Sequence, residues 1–261
     1  MKYSRTGKGP GRWGTLLAGI LALGMAGAVH AAPIRVALGI VIDGSGSISS
    51  SDFATQISAY QSVLGDPTIL PADGSVVVNV VQFSTIAQLE QTAIRIESEA
   101  DRTALLGAIG AMSQLGALTS IGDGIDLSMS DLESFLSALD PSEFAPDFRK
   151  LIDVSTDGGH NWGLDPTTAT AAAIAAGYEA VNCLGIGALA DCSWNDGYGS
   201  STDFPASSFA DLEPVLEDKI RFEITGDPTP PTGVPAPATL LLLAAGLAAL
   251  GMRRRQGLIR T

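Results

Sequence analysis

The stretch "IRVALGIVIDGSGSIS", residues 34–49, runs from a near-continuous apolar segment into one aspartate and three serines set between small residues. A run as apolar as residues 34–42 does not suit a strand with one wet face. It suits a strand covered on both faces, as in a parallel sheet. The exit from that strand is unusual. A buried strand ordinarily hands over to its helix through one capping residue, but here Asp43, Ser45 and Ser47 place oxygen at alternate positions, with Gly44 and Gly46 between them to allow a tight turn.

Working outward, residues 50–64 carry Phe53, Ile57, Tyr60 and Leu64 at helical spacing, with Asp52 in the first turn. Residues 75–83, "SVVVNVVQF", read as a second buried strand, and the more alternating residues 87–96 as an edge strand. Helical patterns follow over 99–113 and 122–138. A third core strand covers 149–156, an alanine-rich helix 167–177, and a fourth core strand 180–187. A loop rich in Gly, Ser and Asp runs to about 206, before a last amphipathic helix over 207–222. Strands alternating with helices predict an α/β fold, doubly wound in the Rossmann manner, with a mostly parallel sheet flanked by helices.

Ligand sites in open α/β sheets form at the C-terminal ends of the strands, and three polar clusters fall there. Asp43, Ser45 and Ser47 end the first strand, Thr119 lies in "GALTSIGDGI", and Asp157 ends the third core strand in "DVSTDGG". Carboxylates and hydroxyls with no thiolate and no histidine cluster make a set for a hard cation. Taken alone, Asp-x-Ser-x-Ser also fits a serine-rich helix cap; the threonine and second aspartate, in order on the right elements, favour the metal.

In this arrangement the chain resembles the von Willebrand factor A domains and their metal-ion-dependent adhesion site, over about residues 34–224. "RKLIDVSTDGGHNWG" followed by an alanine-rich helix is similar to a bacterial secreted subgroup of that family. The resemblance implies a metal site at Asp43, Ser45, Ser47, Thr119 and Asp157, with Ser45 and Ser47 as direct ligands and the others direct or through water. It implies a divalent cation, Mg²⁺ ahead of Mn²⁺ or Ca²⁺, and an adhesion or recognition module without catalysis. Physical chemistry agrees. Mg²⁺ takes an octahedron of oxygens at about 2.0–2.1 Å, and neutral hydroxyl ligands leave much of its charge uncancelled. A carboxylate from a protein or extracellular-matrix partner then completes the shell.

Other residues carry less. Asp123 and Asp126 in "GDGIDLS" suit a second weak cation site, or equally the acidic first turn of a helix. His160 reads as a loop histidine, and Trp162 and Trp194 either flank the binding face or pack in the core. "GSGS" lacks the G-x-S-x-G nucleophile elbow, and no Gly-Lys-Ser/Thr completes a phosphate loop. Two further function classes stay in view: an acidic structural matrix component, and a metal-dependent hydrolase.

The ends read as targeting segments. Residues 1–31 have a basic start, the apolar "TLLAGILALGMAGAV" and a small-residue cut site at Val29-His30-Ala31, the order of a signal peptide. A proline-rich linker over 227–237 leads into an apolar run and Arg253, Arg254 and Arg255 within 238–261. "VPAP", the apolar run and the arginines resemble the PEP-CTERM sorting signal, with Ala236 where glutamate is usual. That resemblance implies a transient inner-membrane stage, cutting by an exosortase, and release to the cell surface or beyond. The expected domain, 32–226, lies between. Eight of the fifteen Lys and Arg sit in the terminal segments 1–31 and 238–261, so the domain with its linker keeps seven against 28 Asp and Glu, a formal charge of −21 where the whole chain has −13. Such a surface repels nucleic acid and attracts cations. Two cysteines, Cys183 and Cys192, in an exported chain predict one disulfide, contributing about 2–3 kcal/mol across so short a loop.

Overall fold

The computed structural model describes residues 31–226. The segments expected to be a signal peptide and a sorting signal lie outside the described residues. A six-stranded sheet forms the centre, in the order β3-β2-β1-β4-β5-β6. The strands are β1 (Ile34–Asp43), β2 (Val76–Phe83), β3 (Ala87–Arg95), β4 (Phe144–Thr156), β5 (Ala180–Ile186) and β6 (Asp203–Ala206). All neighbours pair in parallel except β2 and β3, which are antiparallel. The helices are α1 (Ser50–Gly65), α2 (Glu99–Gly110), α3 (Ile121–Leu136), α4 (Pro166–Ala175) and α5 (Leu212–Thr225).

The apolar run over residues 34–42 is buried because β1 is flanked by β2 and β4 and covered on both faces; only Arg35 within it is exposed. The two-residue period of a strand divides its side chains. Val36, Leu38, Ile40 and Ile42 join a core with Phe53, Ile57 and Tyr60 of α1, Leu105 and Ile109 of α2, and Leu212, Leu216 and Ile220 of α5. Ala37 and Val41 face the other way, into a core with Ile121, Ile125 and Leu132 of α3 and Ala169 and Ala173 of α4. Glycine at 39 lets α3 come close: a Cβ there would stand 2.1 Å from the Ser128 hydroxyl. That hydroxyl instead donates to Asn79 Oδ1 on β2 at 2.9 Å. Among the described residues no helix is long and apolar enough to cross a membrane.

The α/β arrangement is the expected one, with three local corrections. Strand β4 begins at Phe144 rather than 149, and its first pairing, Ile34 with Phe144, is separated from the rest by a register shift. Pro146 and Asp147 hide that extension in the sequence. Strand β6 lies inside the segment read as a loop. It is a short edge strand, where Pro205 is tolerated, and it buries Phe204 and Ala206. Helix α5 starts at Leu212, after a single tight turn over Phe209–Asp211. The disulfide between Cys183 in β5 and Cys192 in the loop beyond it is formed, as expected.

Candidate metal centre

Strand β1 ends by delivering Asp43, buried, to the C-terminal edge of the sheet. Its carboxylate accepts the Ser45 backbone N–H at 2.8 Å on Oδ1 and the Thr156 hydroxyl at 2.7 Å on Oδ2. Its backbone carbonyl accepts Nε2 of Gln56, from α1, at 2.9 Å. No described Lys or Arg forms an ion pair with it. Burial pushes its pKa up to about 6, against the hydrogen bonds from Ser45 and Thr156, with the nearby Asp157 adding to the rise.

From Asp43 the polar chain continues outward. Ser45 is buried, its hydroxyl 3.1 Å from that of the exposed Ser47. Ser47 in turn donates to Asp157 Oδ1 at 2.6 Å, and Asp157 follows directly on β4. Four of the five residues chosen from sequence therefore touch in a row, from the buried end of β1 to the surface. Helix α1 starts just beyond them. Its N-cap is Ser49, whose hydroxyl accepts the Asp52 backbone N–H at 3.2 Å. The helix-cap role thus belongs to Ser49, and Ser45 and Ser47 are free of it.

Thr119 reaches the same place through backbone. The 111–120 loop is stitched to the turn by Gly46 N–H to the Ala117 carbonyl at 2.9 Å and Gly116 N–H to the Gly44 carbonyl at 2.8 Å. The approach requires glycine at 46, where a Cβ would lie 3.0 Å from Ala117 N and 3.1 Å from Ala117 O. Ala117 itself has φ +70°, the left-handed region that a non-glycine residue enters at a cost. Thr119 is buried and clamped by Asn161. Its N–H donates to Asn161 Oδ1 at 2.9 Å, and its carbonyl accepts the backbone N–H of Asn161 at 3.0 Å. No direct hydrogen bond links its hydroxyl to the other four residues.

The reading from sequence missed Thr156, Gln56, Asn161 and Gln114, which hold the site rather than form it. Gln114 Nε2 donates to the carbonyls of Ser45 and Ile48 at 3.0 and 2.8 Å. A signal existed for Gln56: it occupies a core-facing position of α1, one residue before Ile57, and is fully buried. At the alternative second position, Asp123 accepts the Ser120 hydroxyl and the Leu164 backbone N–H, as the acidic first turn of a helix does, while Asp126 is exposed. The two tryptophans separate. Trp194 is buried, its indole N–H donating to the Asp191 carbonyl at 2.8 Å, whereas Trp162 is exposed at the site end of the sheet. His160 lies half-buried in the same loop as Trp162.

The donor set fits a hard cation. All five side chains offer oxygen, Asp43 is a buried carboxylate with no basic partner, and the hydroxyls that stand between the two aspartates are neutral. A cation bound there would supply the positive charge these carboxylates lack and an electrophilic position for a further oxygen ligand. By contrast, Cys183, Cys192 and Asp203 come close together, but both sulfurs are spent in the disulfide and offer no thiolate.

The family model described as "Protein of unknown function (DUF1194)" matches residues 33–226. No curated protein matches the chain in sequence. Among solved structures, proximal thread matrix protein 1 of the mussel byssus is similar, with a TM-score of 0.58 at 20% identity over 72% of this chain and 48% of that one. One structure of that mussel protein has a zinc-occupied MIDAS motif, at a TM-score of 0.58 and 18% identity over 73% of this chain and 48% of that one. A von Willebrand factor type A protein from Catenulispora acidiphila gives 0.57 at 17% identity, over 73% of this chain and 43% of that one. The pilus adhesin SpaC of Lactobacillus rhamnosus GG gives 0.56 at 17%, over 74% and 31%. At these identities the likeness establishes the von Willebrand A-type fold, and the chain spans less than half the length of these structures.

Proposed function

We propose a function for this chain, which belongs to the DUF1194 family: it is an exported recognition module that binds a partner through a divalent cation, Mg²⁺ foremost. Asp43, Ser45, Ser47, Thr119 and Asp157 hold the ion, Ser45 and Ser47 directly, and a carboxylate of a protein or extracellular-matrix partner completes its shell. The observation that carries this reading is the continuous row of hydrogen bonds from Asp43, through the Ser45 backbone N–H and the Ser45 and Ser47 hydroxyls, to Asp157, around a buried carboxylate without a counter-charge. The fold and the occupied motif of the mussel matrix protein support it. Neither serine hydroxyl contacts a histidine, so the reading is one of binding rather than acyl transfer. Calorimetry with Mg²⁺ and Mn²⁺ tests it. The unsubstituted chain binds the cation, and Asp43→Ala loses at least tenfold in affinity, about 1.4 kcal/mol, with its far-ultraviolet dichroism unchanged. Equal cation binding by the two proteins would sink the assignment.

The same proposal takes residues 1–31 as the signal peptide and 227–261 as linker and sorting signal, cut by an exosortase-type enzyme after a transient membrane stage. A mature chain recovered from its host then ends close to Val234. An intact mass that still includes Arg253 to Arg255 would overturn the sorting step and leave the cation site untouched.

A further inference from the structure

The exposed large apolar side chains among the described residues are Ile86, Leu118, Trp162 and Leu189, at 59, 40, 52 and 83% exposure. They come from four different loops: after β2, before α3, after β4 and after β5. All four loops open at the C-terminal ends of the parallel strands, around the turn that carries Ser45 and Ser47. They are also bonded to one another. Leu118 N–H donates to the Thr85 hydroxyl at 3.2 Å, Trp162 N–H donates to the Thr119 carbonyl at 3.3 Å, and Asp191 N–H donates to the Gly158 carbonyl at 3.3 Å. Ile86, Leu118 and Trp162 thus sit on the Thr119 side of the site. Leu189 belongs to the β5 side, where with Asp157, Asp52 and Phe209 it lines a cleft of about 400 Å³.

Charge divides the molecule along the same axis. Between residues 31 and 226 the basic residues are Arg35, Arg95, Arg102, Arg149, Lys150, Lys219 and Arg221, and each is in an ion pair. None lies in the four loops or in the 43–49 turn. Arg35, Arg95, Arg149 and Lys150 belong to the opposite end of the sheet: Arg95 donates to the carbonyls of Gly74 and Ala32, and Lys150 to that of Ala176. The site end carries Asp52, Asp157, Asp165 and Asp191 instead.

We infer that the partner is a polypeptide segment that presents a single carboxylate between apolar side chains, within a stretch of net positive charge. This rests on the cation reading of the site given above. The ion takes the carboxylate, and the apolar neighbours cover Leu118 and Trp162 on one side and Leu189 on the other. The surrounding aspartates, with no lysine or arginine among them, repel a second acid in the ligand and attract basic residues. A polyanionic chain fits this face badly, because only the carboxylate on the ion would meet a positive charge.

Fluorescence anisotropy on the purified full chain tests the inference with three labelled peptides, each built around one central glutamate. In the first it is flanked by leucine and lysine, in the second by serine, and in the third by further glutamates. Each is titrated in Mg²⁺ and in EDTA, with polygalacturonate as a competing polyanion. The leucine–lysine peptide binds roughly tenfold tighter than the serine peptide, and the glutamate-rich peptide binds weakest. The double variant Trp162→Ser/Leu189→Ser loses that preference and keeps its calorimetric Mg²⁺ affinity. Equal affinities, tightest binding of the glutamate-rich peptide or of polygalacturonate, or no peptide binding by a metal-loaded chain would each overturn the inference. If the chain binds no cation by calorimetry, the reading of the site itself fails, and that outcome is separate from all of these.

Discussion

Two groups of carboxylates lie on neighbouring strands of this sheet and are neutralised differently. At the C-terminal edge, Asp43 and Asp157 are connected by hydroxyls and meet no basic side chain. In the interior of the domain, Asp153 of β4 and Glu223 of α5 both close on the ammonium of Lys219, and all three side chains are fully buried. Asn182 of β5 also donates to Glu223 at 2.8 Å. The inner cluster brings its own cation. The outer one has only neutral donors and opens to solvent. Gln56 stands between the two, donating to the Asp43 carbonyl and lying 3.4 Å from the Ser155 hydroxyl. The difference is that between a cluster that carries its own counter-charge and one that, in the function proposed above, receives an ion.

The sharpest way to break the contrast is to remove the inner cation. Lys219→Met keeps the volume but leaves Asp153 and Glu223 buried without a counter-charge, at a cost of about 3–5 kcal/mol. Urea unfolding measures it. Adding Asp153→Leu and Glu223→Met to the same chain recovers most of the loss, because a well-packed apolar cluster replaces a buried pair at little expense. If Lys219→Met alone unfolds at the same urea concentration as the parent, the ammonium is not neutralising the cluster.

A smaller effect follows from pH. Two carboxylates share one ammonium, and burial pushes Glu223 up from 4.5 to about 7, against the attraction of Lys219; Asp153 is raised for the same reason. The folded chain therefore holds a proton that the unfolded chain releases at lower pH. Stability from this source is complete below about 4.5 and is lost as the pH rises through about 7. In metal-free buffer the melting temperature falls across that window, and Glu223→Gln flattens the fall. An equal slope in both proteins would assign the proton elsewhere.

The smallest effect concerns the outer site. Ala117, at φ +70°, backs the glycine turn in a conformation suited to glycine. Ala117→Gly relieves that strain and raises the unfolding free energy by about 1 kcal/mol or less, read from the urea midpoint. A lower midpoint would mean that the methyl group contributes packing worth more than the strain.

The core strands β1, β2, β4 and β5 were legible because a run covered on both faces is apolar without alternation, and the sequence shows that directly. The candidate site was legible for a related reason. Asp43, Ser45 and Ser47 are neighbours in the chain, and the fold rule that sends strand ends to one edge brings Asp157 and the Thr119 loop to them. The edge strand β6 was not legible. Four residues including a proline carry too little pattern, and only pairing with β5 makes them a strand.

Lys219 marks the boundary between the two kinds of knowledge. In "LEPVLEDKIRFEIT" it stands four residues before Glu223, the spacing of an ordinary solvent-facing pair on an amphipathic helix. The sequence by itself determined the core strands, the helices and the oxygen-rich turn, because those follow from period, composition and short-range spacing. Only the tertiary structure decided that α5 lies with Lys219 inward, over Asp153 and beside Asn182. The order of strands across the sheet, and not the distance along the chain, sets which charges meet there. It also leaves Asp43 and Asp157 together at an end of the sheet that has no lysine or arginine to pair with them.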